Sequence, residues 1–207
     1  MVAHEKVRRA LLAMLTVAMA TTAVGESPAR RPDTKFAQAL IQAAVAQTST
    51  PVTYDGSYRR IPYPGGDVPA SIGVCTDLVV RAYRAVGVDL QARVHEDMRA
   101  AFGSYPQLWG LSRADSNIDH RRVPNLQTYF RRRGAQLSIG GDASDYLPGD
   151  LVTWILPGNL PHIGLITDQR SPDGKRPLVV HNIGRGPEIE DMLFGYRISG
   201  HYRYLGD

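Results

Sequence analysis

Apolar positions divide the chain into a helical first half and a strand-rich second half. Phe36, Ala39, Leu40, Ala43 and Ala44 recur at helical spacing and predict a helix over 34–47. Residues 48–73 follow as a loop-rich stretch, punctuated by Asp55-Gly56, Pro62, Pro64-Gly65-Gly66 and Pro69. From Val74 to Val86 there is neither Gly nor Pro; Leu78, Val79, Ala82, Tyr83 and Val86 form one apolar face, and Gly87 is a natural stop. Residues 90–101 predict a second short helix, and residues 103–122 an ordered loop. Pro124 to Arg133 fits a helix with proline in its first turn and Gly134 beyond its end. From Gly149 onward the texture changes. Residues 151–156, 162–167, 178–182 and 200–205 are short β-prone runs separated by Gly, Pro, Asp and Asn. Helices first and strands afterwards predict an α+β domain, with N-terminal helices packed on a small antiparallel β-sheet.

The chain's 207 residues suffice for one domain with a core, and 43% hydrophobic against 21% charged residues is a globular composition. Lys6, Arg8 and Arg9 precede an apolar run, Ala10 to Val24, broken only by threonines; Ala18-Met19-Ala20 and Ala23-Val24-Gly25 offer small residues for cleavage. Residues 1–25 are therefore expected to be a signal peptide, 26–49 a linker and N-terminal helix, and 50–207 the main domain. The expected product is an exported protein, periplasmic or secreted. The apolar run is too short for a membrane span, so none is expected after cleavage. The leader's three cations and Glu5 account for two of the net four positive charges. The remainder is too small for a dedicated nucleic-acid binder. A single cysteine excludes an internal disulfide framework.

That cysteine, Cys75, falls at the predicted start of a helix, where the helix dipole favours a thiolate and a lowered pKa. Gly73 before it would admit a substrate backbone. His162 opens a predicted strand and shares a face with Gly164 and Ile166, the glycine leaving space beside the imidazole. His181 lies on the next run and could orient the first histidine; Asn182 could do the same, but alternation sends it to the opposite face. Cys75, His162 and His181 are also a three-ligand zinc set, as a rival reading. In the polar run Asp119-His120-Arg121-Arg122, Arg121 or Arg122 could bind substrate carboxylates, against a structural salt-bridge knot. His95, Glu96 and Asp97 read as a solvated helix face, Arg131-Arg132-Arg133 as an exposed helix end, and Trp109 and Trp154 as core or groove-wall residues.

Tyr63-Pro64-Gly65-Gly66, then Gly73-Val74-Cys75-Thr76-Asp77, Pro148-Gly149-Asp150-Leu151-Val152, His162-Ile163-Gly164-Leu165-Ile166 and Val180-His181, in that order, resemble the NlpC/P60 superfamily of papain-like cysteine peptidases. Within it the chain resembles the DUF1287 family of exported bacterial proteins, through Tyr54-Asp55-Gly56-Ser57-Tyr58, Val94-His95-Glu96-Asp97-Met98, Asn117 to Leu126, His181-Asn182-Ile183-Gly184 and Gly200-His201-Tyr202-Arg203-Tyr204. The resemblance implies a papain-like fold, Cys75 as nucleophile, His162 as base, His181 as orienting group, and Tyr63 as an entry-loop tyrosine near the oxyanion. The carboxylate that ordinarily precedes such a nucleophile, where it shapes a substrate subsite, is replaced by Val74. The implied activity is thiol hydrolysis of peptide or amide bonds, with peptidoglycan or a peptide as substrate and no cofactor or metal. Asp119, His120 and Arg121 stand beside Tyr63 as candidate substrate contacts. A non-catalytic envelope-binding module and an acyltransferase or thioesterase are the competing readings.

Overall fold

The computed structural model describes residues 34–206. The expected signal peptide and the linker up to residue 33 lie outside the described residues. Four helices, α1 (Thr34–Ala46), α2 (Cys75–Ala85), α3 (Leu90–Ala100) and α4 (Val123–Arg132), precede most of the sheet. Strands β1 (Thr53–Tyr54) and β2 (Ile72–Gly73) form a small parallel pair. The main sheet is antiparallel and six-stranded, in the order β3-β8-β4-β5-β6-β7. Its strands are β3 (Gln136–Leu137), β4 (Leu151–Leu156), β5 (Leu160–Arg170), β6 (Pro177–Asn182), β7 (Pro187–Glu190) and β8 (Arg197–Tyr202).

The four predicted strand runs become β4, β5, β6 and β8. Strands β1, β2 and β3 of two residues each and β7 of four lie outside those runs, being too short to show a strong alternation. The expected ordered loop at 103–122 contains short 3₁₀ turns at Phe102–Ser104 and Asp119–Arg121.

Pleating sorts the side chains of the central strands. Leu151, Ile163, Leu165 and Val180 face the helices, where they join Leu40 and Ile41 of α1, Leu78 and Val79 of α2 and Phe130 of α4 in one core. Val152, Trp154, Ile166 and Val179 form a second cluster with Tyr146, Met192 and Leu193. Trp154 is thus a core residue, its indole N–H donating to the Leu193 carbonyl at 2.9 Å. Burying side chains of this size contributes about 1.5–3 kcal/mol each. Gly164 is where β5 and β6 approach closely: a Cβ there would meet Val179 Cγ1 at 2.7 Å and His181 Cβ at 3.1 Å.

A polar knot joins the loops to this core. The Arg121 guanidinium donates to both Asp77 oxygens, at 2.8 and 2.9 Å, and to the Asp55 and Ser57 carbonyls. Its own carbonyl accepts the Thr76 hydroxyl. Side-chain exposures of 1% for Arg121 and 3% for Asp77 mean that either charge alone would be stranded out of water. Arg121→Met is expected to lower unfolding stability by about 3–5 kcal/mol, measured by urea titration. The exposed Arg131→Met should stay within about 0.5 kcal/mol of wild type. Equal effects at the two positions would contradict a structural role for Arg121.

Candidate functional site

Val74 caps α2 in extended conformation, and its N–H is taken by the Asp77 carboxylate three residues on, at 2.7 Å. That carboxylate also holds Arg121, so the first turn of α2 is gripped at Thr76 and Asp77, immediately after Cys75. Pairing of Tyr54 with Gly73 brings β1 alongside the segment entering the helix. The space where Gly73 would carry a side chain is taken by Arg81, 3.1 Å away, and by Asp77. Gly73 therefore backs onto α2, contrary to the expectation that it leaves room for a substrate.

Cys75 is 4% exposed. The Tyr54 hydroxyl and the backbone N–H groups of Ile163 and Thr76 interact with its sulfur and favour the anion. Burial and the nearby Asp77 charge oppose it, and burial dominates: the thiol is pushed up to about 11. This reverses the expected lowering. The helix terminus offers only a partial charge, whereas loss of hydration acts on the full charge of the thiolate.

His162 and His181 do meet. His162 Nε2 and His181 Nδ1 are 3.1 Å apart, with the rings edge-on at 5.1 Å between centroids. The far nitrogen of His181, Nε2, lies 3.0 Å from Glu190 Oε2. Arg185 bridges Glu190 and Glu188 at 3.0 Å each. His162 also packs against Trp154, its cross-strand partner. Burial and the neighbouring imidazole hold His162 at about 3. Burial also lowers His181, against the pull of Glu190. The thiol reaches β5 at Ile163, one residue from His162. Among the described residues the resting thiol makes no hydrogen bond to the imidazole, whose Nδ1 remains uncommitted. Asn182 is buried and accepts from the Gly184 N–H, away from this chain of groups.

The other anticipated contacts are redistributed. Tyr63 is not the tyrosine at the sulfur: its hydroxyl reaches Glu96 at 3.4 Å and its ring packs edge-on against His95. Tyr54 lies at the sulfur instead. Its sequence signal is the Tyr54-Asp55-Gly56 segment, weaker than the glycine-rich Tyr63 loop. Asp119, His120 and Arg121 are all buried. Asp119 accepts the Asp115 N–H, and Arg121 belongs to the knot described above. The charges of Asp119 and Arg121 are thus taken up internally, the latter by Asp77. His120 Nδ1 is buried without a partner, and desolvation holds the ring at about 4. Arg122 lies over the Trp109 ring at 4.0 Å. Asp97 is buried rather than solvated; it accepts from Tyr105, Arg132 and Arg133, so two of the three arginines at the end of α4 are tied down.

The donor set that converges among the described residues is His181, Glu188 and Glu190, whose candidate ligand atoms lie within 4.8 Å of one another. It is not the Cys75, His162 and His181 set of the zinc alternative. Arg185 already bridges both glutamates, so a divalent ion would compete with it for their oxygens. No described helix is long and apolar enough to cross a membrane.

Two outcomes follow from this electrostatic arrangement. Alkylation of Cys75 by iodoacetamide should be slower than that of a model thiol at pH 7 and still be rising above pH 9, and Tyr54→Phe should slow it further. A plateau below pH 8 would contradict the burial effect. The buried imidazoles act at the acid end. The unfolded chain protonates its rings near pH 6.5, whereas folded His162 and His120 resist until about 3 and about 4. Their contribution is therefore complete above pH 6.5 and is lost as the pH falls toward 4, by up to about 1.4 kcal/mol per pH unit and ring. Urea midpoints from pH 7 to 4.5 should show this slope, reduced in His120→Gln; a flat profile would refute it.

Residues 41–204 match the family described as Domain of unknown function (DUF1287). Uncharacterized protein YijF of Escherichia coli (strain K12) is 48% identical over 203 residues, covering 95% of this chain and 98% of its own. Among solved structures, that of NlpC1 from Trichomonas vaginalis is similar with a TM-score of 0.45 and 15% identity. That likeness covers 81% of this chain and 44% of the other, so this chain spans less than half of that one's length. Given a family match over residues 41–204 and a relative this similar along nearly its whole length, the chain belongs to the DUF1287 family.

Proposed function

We propose that the chain is an exported thiol hydrolase that cleaves peptide or amide bonds, with peptidoglycan as its substrate. The observations that support this reading are a sulfur at a helix start, met by the Ile163 N–H of β5, and a bonded pair of imidazoles that begins at the neighbouring His162. The resemblance of the quoted motifs to the NlpC/P60 superfamily supports the same reaction class.

With the thiol raised and the imidazole lowered, the resting pair is neutral. His162 therefore works as a general base during attack and does not hold a preformed thiolate. The S–H proton passes to His162 Nδ1 as sulfur bonds to the carbonyl carbon and the carbonyl electrons move to oxygen. The Cys75 backbone N–H and the Tyr54 hydroxyl serve the oxyanion, Tyr54 taking the role that the sequence reading gave to Tyr63. Collapse expels the amine, which takes its proton from His162. Water then attacks the thioester, giving a proton to His162, and the thiol leaves with that proton restored.

One observation favours a second reading, the non-catalytic envelope-binding module: a buried, protonated thiol is the ordinary state of an inert cysteine. Digestion of purified sacculi separates the two, with mass spectrometry of the released fragments. Wild type should release fragments that Cys75→Ala and His162→Ala do not, at losses of at least ~10³-fold. Tyr54→Phe should cost ~10²–10³-fold as a lost oxyanion donor. No release by wild type would leave only the binding module, and equal release by wild type and Cys75→Ala would refute the thiol mechanism.

A further inference from the structure

Glu190 sits on β7 opposite Val179 and reaches diagonally across the sheet face to His181, whose direct partner is Glu188. Arg185, in the turn between β6 and β7, holds both glutamates. An ionised carboxylate only accepts hydrogen bonds, so the His181 nitrogen facing it, Nε2, must carry the proton. A neutral ring has one N–H, which leaves His181 Nδ1 as an acceptor. Its partner across 3.1 Å, His162 Nε2, must then donate. The one N–H of His162 is thereby assigned, and its lone pair falls at Nδ1. Burial keeps both rings neutral near pH 7, as this chain of assignments requires.

We propose that Glu190, clamped by Arg185, is a positioning residue that fixes the tautomers of the His181–His162 pair and so directs the basic nitrogen of His162, Nδ1, toward the reaction. The inference rests on the hydrolase reading for its purpose but not for its test. Without Glu190 the pair has two ways to share its protons, one of which places N–H at His162 Nδ1 and abolishes the base. Gln offers a carbonyl acceptor in the same place, whereas Leu offers none.

Long-range ¹H–¹⁵N spectra of the histidine rings at pH 7.5 read the tautomers directly, in full-length protein lacking only its leader. Wild type and Glu190→Gln should show His162 and His181 both protonated at Nε2 and bare at Nδ1. Glu190→Leu should show mixed or inverted tautomers while its backbone spectrum stays dispersed. Its kcat on sacculi should fall ~10–10²-fold with KM little changed, as for lost outer partners of functional imidazoles, and Glu190→Gln should recover most of it. A wild-type N–H at His162 Nδ1, or a Glu190→Leu spectrum identical to wild type, overturns the proposal. If Cys75→Ala digests sacculi like wild type, the hydrolase reading falls while the tautomer result stands independently.

Discussion

The Asp77–Arg121 ion pair, withdrawn from water on both sides, fixes the turn of α2 that presents Cys75. Arg121 seizes the carboxylate two residues after the cysteine and the hydroxyl one residue after it, and it ties the Asp55–Ser57 loop to the same point. Tyr54 lies in the strand leading into that loop. One guanidinium thus sets the relation between the sulfur and the hydroxyl nearest to it. The arrangement has an electrostatic cost, because the same Asp77 charge opposes formation of a thiolate. A protein that needed a standing thiolate would not place its structural carboxylate there. A neutral thiol waiting for a base is compatible with it.

The proposed base, His162, belongs to the sheet and is held separately. His162 is set in β5 between Trp154 on one neighbouring strand and His181 on the other. Gly164 allows β6 close enough for the two imidazoles to bond. Beyond them, Glu190 and Arg185 end the sequence of polar groups at the half-exposed edge of the sheet. Polarity is satisfied along this line from solvent inward, and it runs out at His162 Nδ1. The proposed reaction draws on that nitrogen, on the residue next to the Ile163 N–H that meets the sulfur.

Much of this was legible in the chain. Apolar faces at helical spacing located α1 and α2, a first-turn proline and a following glycine located α4, and β-prone runs with Gly and Pro breaks located β4, β5, β6 and β8. The cysteine and both histidines stood out as residue types. The Tyr63 assignment failed because glycine-rich turns advertise themselves, whereas Tyr54 is brought to the sulfur by a two-residue parallel pairing with no periodic signal. Glu190 was missed although Glu188-Ile189-Glu190 alternates like a half-buried strand; four residues were too few to weigh. The thiol's titration was misjudged because sequence shows a helix terminus but not the depth of burial. Arg121 was misplaced for the same reason: a charged run reads the same whether it faces solvent or a buried carboxylate.

In the proposed reaction Cys75 forms a covalent acyl intermediate with His162 as its base. Acid-quenching a reaction with muropeptides and locating the adduct by peptide mass spectrometry tests it most directly. A thioester on Cys75 in wild type, absent when His162 is alanine, is the predicted result. Fragment release without any adduct on Cys75 would contradict it.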